Sequence, residues 1–302
     1  MKDTLKYYLL ISLLSCLPLI PIFITTQLLH THDGFAHLPR IAAYFKALSD
    51  GVFPVRWAGE LNYGYGMPIF NFMYQVPYFL ASMFLFFGIS LVNSFKITLA
   101  LSYLLSGIFM FAFAKEFFGD NKKALLITVF YQFVPFRLVE LLVRGSFGEV
   151  YAYTFLPLVL FGIVRLSKKS SYIHFLITAF ATALLILSHN ALSLVFFGLA
   201  AGFILLFTPN KKSLLYSFLA LFCGLSLAAF YWLPSIVEHK YTYGDLFMKN
   251  LYREHFPPLQ NFFIPNFFND IHLQTKGIAV QIGLFHVVAI ILSIILLVKN
   301  KV

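Results

Sequence analysis

Four polar clusters interrupt an otherwise apolar chain, and each carries residue types able to do chemistry. The first is His30-Thr31-His32-Asp33-Gly34-Phe35-Ala36-His37. One carboxylate among three histidines suits a general base, or a metal ligand, facing an outward cavity. The same Asp-Gly step also suits the opening of a turn or helix, with Asp33 as its N-cap. Both readings are open at this point. The second cluster is Phe53-Pro54-Val55-Arg56-Trp57, followed by Asn62-Tyr63-Gly64-Tyr65-Gly66-Met67-Pro68. Gly64 and Gly66 permit a tight loop whose free amides would form an anion nest. Arg56 beside Trp57 would grip phosphate or stack on a sugar ring; alternatively the pair anchors a structured loop at the membrane interface.

The third cluster runs from Pro135 to Glu149. Arg137, Glu140 and Arg144 are spaced three and four apart, which places them on one helix face. Arg137 lies about two turns inside the end of its apolar block, where a charge costs about 2.5–3.5 kcal/mol on insertion scales and tends to mark function. The competing reading is an ion-pair staple centred on Glu140. The fourth cluster, Ser188-His189-Asn190, sits between two apolar blocks, where its members serve either as helix caps or as site residues. Glu238, His239, Arg253, Glu254 and His255 read as a solvated loop.

These clusters must be positioned by elements of a membrane protein. Hydrophobic residues make up 60% of the 302 residues and charged residues 11%, against about 25% charged in a typical soluble domain. The net charge of +10 does not indicate nucleic acid. The lysines lie in short groups at the ends of apolar blocks, which reads as topology signals and contacts with anionic lipid. Cys16 and Cys223 fall inside apolar blocks and form no disulfide, zinc or redox pattern. The first block has no small-residue cleavage site after it and reads as an uncleaved first helix.

The apolar blocks lie at about 5–27, 69–90, 94–114, 124–143, 150–164, 172–187, 190–207, 214–236 and 279–298. From Lys115 onward, successive basic groups are separated by two blocks and can all be cytoplasmic. Three blocks separate Lys6 from Lys115, so one of them should not cross. The 69–90 block carries Pro68, Asn71, Gln75 and Pro77 and reads as a juxtamembrane or re-entrant helix on the outer side, buried in protein or lining a cavity. The expected fold is an all-α polytopic transmembrane bundle, a single domain over 1–302 with eight spans, both ends cytoplasmic, and long outer loops at 28–93 and 237–278. Within the first loop, residues 39–49 predict a helix with Ile41, Phe45 and Leu48 on one face, lying along the membrane surface.

His-Asp-Gly-Phe-x-His at 32–37, Phe-Pro-x-Arg-Trp at 53–57, Asn-Tyr-Gly-Tyr-Gly-x-Pro at 62–68, Arg-Gly-x-x-x-Glu at 144–149 and Ser-His-Asn at 188–190 follow in this order. That set resembles the 6-pyruvoyl-tetrahydropterin synthase-related membrane family over nearly the whole chain. A pterin synthase itself is a small soluble zinc enzyme, unlike this sequence. The family is similar to YfhO-like proteins and to the GT-C glycosyltransferase superfamily. The GT-C likeness implies a cytoplasmic N-terminus, juxtamembrane helices in the first outer loop and transfer of a sugar from a polyprenyl-phosphate carrier at the outer face of the plasma membrane to an envelope acceptor. Asp33 falls where the catalytic acidic residue of those enzymes lies, and Glu149 near a second. The implied roles are proton removal from the acceptor hydroxyl by Asp33 and retention of the leaving phosphate by Arg137, Arg144 and Arg56. His32, His37, Trp57, Glu140 and His189 would complete the substrate site. No cofactor is demanded, although magnesium or manganese at Asp33 is compatible. The implied partners are the lipid-linked sugar and membrane lipids, with no nucleic acid. GT-C chains are often longer, so this one reads as a short member or as the N-terminal part of a longer architecture. The rival functions are a lipid-linked glycan transporter or flippase and a non-catalytic assembly subunit.

Overall fold

The computed structural model describes residues 2–244, 249, 256–266, 268–271 and 277–300. Arg253, Glu254 and His255 lie outside these. In chain order the helices are α1 (Lys2–Cys16, prolonged by short turns to Phe23), α2 (Gly34–Ser49), α3 (Ile69–Phe72), α4 (Val76–Phe86), α5 (Leu91–Phe118), α6 (Asn121–Gln132), α7 (Pro135–Val139, running into a π turn at Glu140–Arg144), α8 (Phe147–Lys168), α9 (Tyr172–Ile186), α10 (Asn190–Phe207), α11 (Lys211–Leu227), α12 (Ala229–Glu238) and α13 (Leu284–Asn300). Extended pairing among the described residues is confined to one bridge between Ala58 and Met67.

The protein is a helical membrane bundle. Asp3–Phe23, Leu91–Phe118, Phe147–Lys168 and Asn190–Phe207 are long and apolar enough to cross a bilayer. Two further pairs reach that length only together: α6 with Pro135–Arg144, bent by 53°, and α11 with Ala229–Tyr241, bent by 65°. Pro135 causes the first break, because it cannot continue the hydrogen-bond ladder yet suits a first helical position. By length and composition the described helices give four spans, or six if each bent pair is one. Blocks 172–187 and 279–298 form helices of 15 and 17 residues, about 22 and 25 Å long, short of a hydrocarbon core of about 30 Å. α4 has only 11 residues, about 16 Å, so the 69–90 block forms no spanning helix.

Side-chain caps fix the helix starts. Ser90 Oγ accepts from Asn93 N at 3.4 Å, Asp120 from Lys123 N at 2.7 Å and Asn210 from Ser213 N at 2.9 Å. α8 runs through the centre and packs on α5, α9 and α11. Small residues let these helices approach closely: a Cβ at Gly224 on α11 would meet the Ala179 carbonyl of α9 at 2.4 Å.

α2 begins at Gly34, five residues before the expected start, and holds Pro39 in its interior. Its start is set by Thr31, whose Oγ1 accepts from Gly34 N at 3.1 Å. Ile41, Ala43 and Tyr44 are buried against α4 and α5. The apolar face of α2 thus covers protein rather than lying on lipid. The 69–76 stretch is itself enclosed: Phe70, Asn71 and Gln75 are buried, and the amides of Gln75 and Val76 both donate to the Leu187 carbonyl, at 2.8 and 3.0 Å. Irregular backbone at this depth has its hydrogen bonds met by protein.

Candidate functional site

The chain leaving α1 is zipped to the end of the π turn. His32 N donates to the Val143 carbonyl at 3.0 Å and Asp33 N to the Arg144 carbonyl at 2.8 Å. Asp33 stands at the N-cap position of α2 but makes no side-chain cap bond, because Thr31 has taken that task. Its carboxylate instead faces Arg144 Nη2 at 3.5 Å and His32 Nε2 at 3.7 Å.

Arg144 is the hub of an acidic cluster. Its Nη1 donates to Glu140 Oε1 at 2.7 Å and to Glu149 Oε1 at 2.8 Å, while Nη2 looks toward Asp33. The π turn carries Glu140 and Arg144, and Gly145 ends it in the left-handed region at φ 63°. That reversal starts α8 at Phe147 and puts Glu149 in its first turn, where a helix N-terminus favours negative charge. Glu140 is fully buried, and its Oε2 finds no hydrogen-bond partner among the described residues. Accessibility rises outward, from 15% for the Glu149 side chain to 30% for Asp33. Three acids share this one guanidinium, which leaves Arg144 little capacity for a second anion.

Gly148 lets the turn between α9 and α10 come close, since a Cβ there would lie 2.7 Å from the Ser188 carbonyl. This brings His189 Nε2 to 3.8 Å from Glu149 Oε1. His189 Nδ1 accepts from Leu192 N at 3.2 Å, so the ring proton resides on Nε2, facing the carboxylate. Burial pushes the His189 pKa down, Glu149 pulls it back and Arg144 opposes it again.

His37 is part of the wall. It is buried, lies 2.8 Å through Nδ1 from the Tyr78 hydroxyl and stacks near Phe95 and Phe147. Burial first, then Arg40 and Arg144, push its pKa down to about 3, so the ring is neutral. Tyr74 stacks on Tyr78 at 5.4 Å and on His189 at 5.7 Å. Arg40, two turns along α2 from Asp33, lies beside the Tyr78 hydroxyl and has no carboxylate partner among the described residues.

Several predicted members lie elsewhere. Arg137 does not share the face of Arg144. It is enclosed by the rings of Tyr103, Tyr131 and Tyr153 and donates to Gln132 Oε1 and Ser106 Oγ, both at 2.8 Å. The π turn spoils the three-and-four spacing, because its wider i→i+5 turn rotates Arg144 away from Arg137. Arg56 Nη2 donates to the Phe230 carbonyl of α12 at 3.2 Å. Trp57 closes over Gly66, where a Cβ would meet the indole Nε1 at 2.3 Å. The expected anion nest turns inward: the amides of Tyr65, Gly66 and Met67 donate to the carbonyls of Asn62, Leu61 and Ala58. His32 points its Nδ1 at the Ile271 carbonyl, 2.6 Å away. Glu238 accepts from Asn71 Nδ2 at 2.7 Å and is a structural strut, not a solvated side chain.

The described side chains do not assemble a divalent-metal site. His37 faces Tyr78, His32 spends Nδ1 on a carbonyl, and among the described residues no three His, Cys, Asp or Glu side chains converge to hold an ion. The sequence reading missed Thr31, Tyr74, Tyr78 and Arg40. The i, i+4 pair Tyr74 and Tyr78 was readable as a stacked face, but tyrosines in an apolar block also read as interfacial anchors.

A bundle of apolar helices around a buried, acid-rich cluster defines a polytopic membrane protein with a polar site at one end of its helices. Residues 70–302 match the family described as 6-pyruvoyl-tetrahydropterin synthase related domain, a membrane protein, and the chain belongs to that family. The match includes Glu140, Arg144, Glu149 and His189. The chain is also 24% identical over 255 residues to a protein of Lactococcus lactis subsp. cremoris (strain MG1363) described as uncharacterized, covering 79% of this chain and 41% of the relative. This chain thus spans less than half of that protein's length.

Proposed function

We propose that the protein is a GT-C-type glycosyltransferase of the plasma membrane, with both termini cytoplasmic, which moves a sugar from a polyprenyl-phosphate donor to an envelope acceptor at the outer face. The state of Asp33 carries this reading. It is the most accessible carboxylate of the cluster, it holds a helix-start position without capping it, and its contacts at 3.5 and 3.7 Å are loose. A carboxylate tethered by an Arg yet not spent on hydrogen bonds suits a general base. In the reaction Asp33 takes the proton of the acceptor hydroxyl. The acceptor oxygen bonds to the anomeric carbon, and the bond from that carbon to the phosphate oxygen breaks. Arg144 is occupied by Glu140, Glu149 and Asp33, so it orients the acids rather than holding the leaving phosphate. Arg40 suits that phosphate better, since among the described residues it has no competing carboxylate and it lies beside the Tyr78 hydroxyl.

The test is sugar transfer by the purified protein from a polyprenyl-phosphate-linked sugar to envelope acceptors. Turnover that Asp33→Asn abolishes supports the proposal. No turnover, with flipping of labelled lipid in liposomes, would instead favour a transporter.

A further inference from the structure

We infer that the crevice in the crook of the α11–α12 bend holds the isoprenoid chain of the lipid-linked carrier, with its phosphate end toward His189. The inference rests on the donor class proposed above, and it goes further by giving that donor a seat.

The crevice has a volume of about 430 Å³, within the usual range for small-molecule sites. Leu194, Phe197, Leu225 and Ile236 form its apolar walls. It exists because α11 stops at Leu227 and α12 turns away by 65°, leaving a gap beside the spanning helix α10. Leu194 and Ile236 are 77% and 67% exposed, so the gap opens sideways, where lipid tails lie.

Its polar lining indicates what kind of ligand fits. Asn190 Nδ2 donates to the Phe72 carbonyl at 2.8 Å and its Oδ1 accepts from the Tyr231 hydroxyl. Ser193 Oγ donates to the Asn190 carbonyl at 2.9 Å and Trp232 Nε1 to the Leu225 carbonyl at 2.8 Å. Ser235 Oγ donates to the Asn71 carbonyl. Each polar side chain of the lining is thus already bonded to protein. A sugar, a peptide or a water file entering the crevice would forfeit hydrogen bonds without replacement, whereas a hydrocarbon forfeits none. The mouth is specific too. Asn190 lines the crevice, and the residue before it, His189, faces Glu149. A chain seated here ends beside His189, from which the stacked rings of Tyr74 and Tyr78 lead to Arg40, the cation assigned above to the phosphate.

The experiment uses the full chain in nanodiscs and a polyprenyl phosphate bearing a diazirine on its isoprenoid chain. The expected result is saturable photolabelling of peptides spanning 186–197 and 225–236. Unlabelled polyprenyl phosphate should displace it and phosphatidylglycerol should not, and Ser193→Trp, which fills the crevice, should remove it. The competition on unmodified protein stands whether or not that variant folds. Displacement by phosphatidylglycerol to the same extent would overturn the inference, since ordinary lipid would then cover the crevice. Saturable labelling confined to other helices would overturn the seat while leaving the donor reading intact. Absence of saturable labelling everywhere would overturn both.

Discussion

Arg144 Nη1 lies 2.8 Å from Glu149 Oε1, across the turn that joins the π turn to α8. The same nitrogen donates to Glu140, which is fully buried, so one guanidinium ties together acids on two elements. Removing one member of a buried ion pair costs about 3–5 kcal/mol, because the other charge is left uncompensated. Arg144→Met should therefore lower the thermal midpoint in detergent strongly. Adding Glu149→Gln should recover much of the loss, since the stranded charge is then gone. If the double variant is no more stable than the single one, Arg144 is not the counter-charge of Glu149.

His37 gives a pH dependence with a defined sign. Its pKa is about 3 in the folded protein, held there mainly by burial, against about 6.5 unfolded. The unfolded chain therefore binds a proton that the folded chain refuses. Stability from this group is fully present above about pH 6.5 and is lost progressively as pH falls toward 3. Thermal midpoints of wild type and His37→Gln, compared between pH 7 and 4.5, should converge toward low pH, because only the wild type carries this slope of up to about 1.4 kcal/mol per pH unit. Parallel curves would mean that His37 is protonated in the fold.

How much of this was legible depends on what each signal measures. Apolar run length located α5, α8 and α10 well, because a spanning helix must be apolar along its whole length. It located α6 and α7 as one span, because no run length reveals a 53° break. Residue type found Asp33, Glu140, Arg144, Glu149 and His189, and the fold brings these together. Spacing failed for Arg137, since a π turn changes the period on which the face argument rests. Spacing also gave His37 and His32 equal standing, though one faces the core and the other a loop carbonyl. The cap reading of Asp33 failed because Thr31, two residues earlier, reaches the Gly34 amide first.

Topology can be read with single cysteines. The topology expected from charge parity has residues 28–93 outside, and the 11-residue α4 is too short to add a crossing. After replacement of the free Cys16 and Cys223 by alanine, Asn93→Cys should react with an impermeant maleimide on intact cells. Asn121→Cys, beyond the span Leu91–Phe118, should react only after permeabilisation. Reaction of Asn93→Cys solely from the cytoplasmic side would reverse the assignment.

The sharpest test concerns Asp33. Asn keeps the shape of Asp and serves nearly as well at a helix start, so a capping residue would tolerate the change in both stability and activity. Here the cap is Thr31. Thr31→Ala should lower stability by about 0.5–2 kcal/mol, whereas Asp33→Asn should leave the thermal midpoint close to that of wild type, because the Asp33 carboxylate makes only long contacts. If Asp33 is the general base, the same Asn substitution should reduce sugar transfer by about 10²–10⁴-fold at unchanged donor binding, since only the proton acceptor is lost. Added magnesium or manganese should restore nothing, because the neighbouring histidines are not arranged to complete a metal site. The decisive pattern is therefore a split: stability falls with Thr31 and turnover with Asp33. Full turnover by Asp33→Asn would remove this carboxylate from the chemistry. Rescue by metal would instead make Asp33 a ligand.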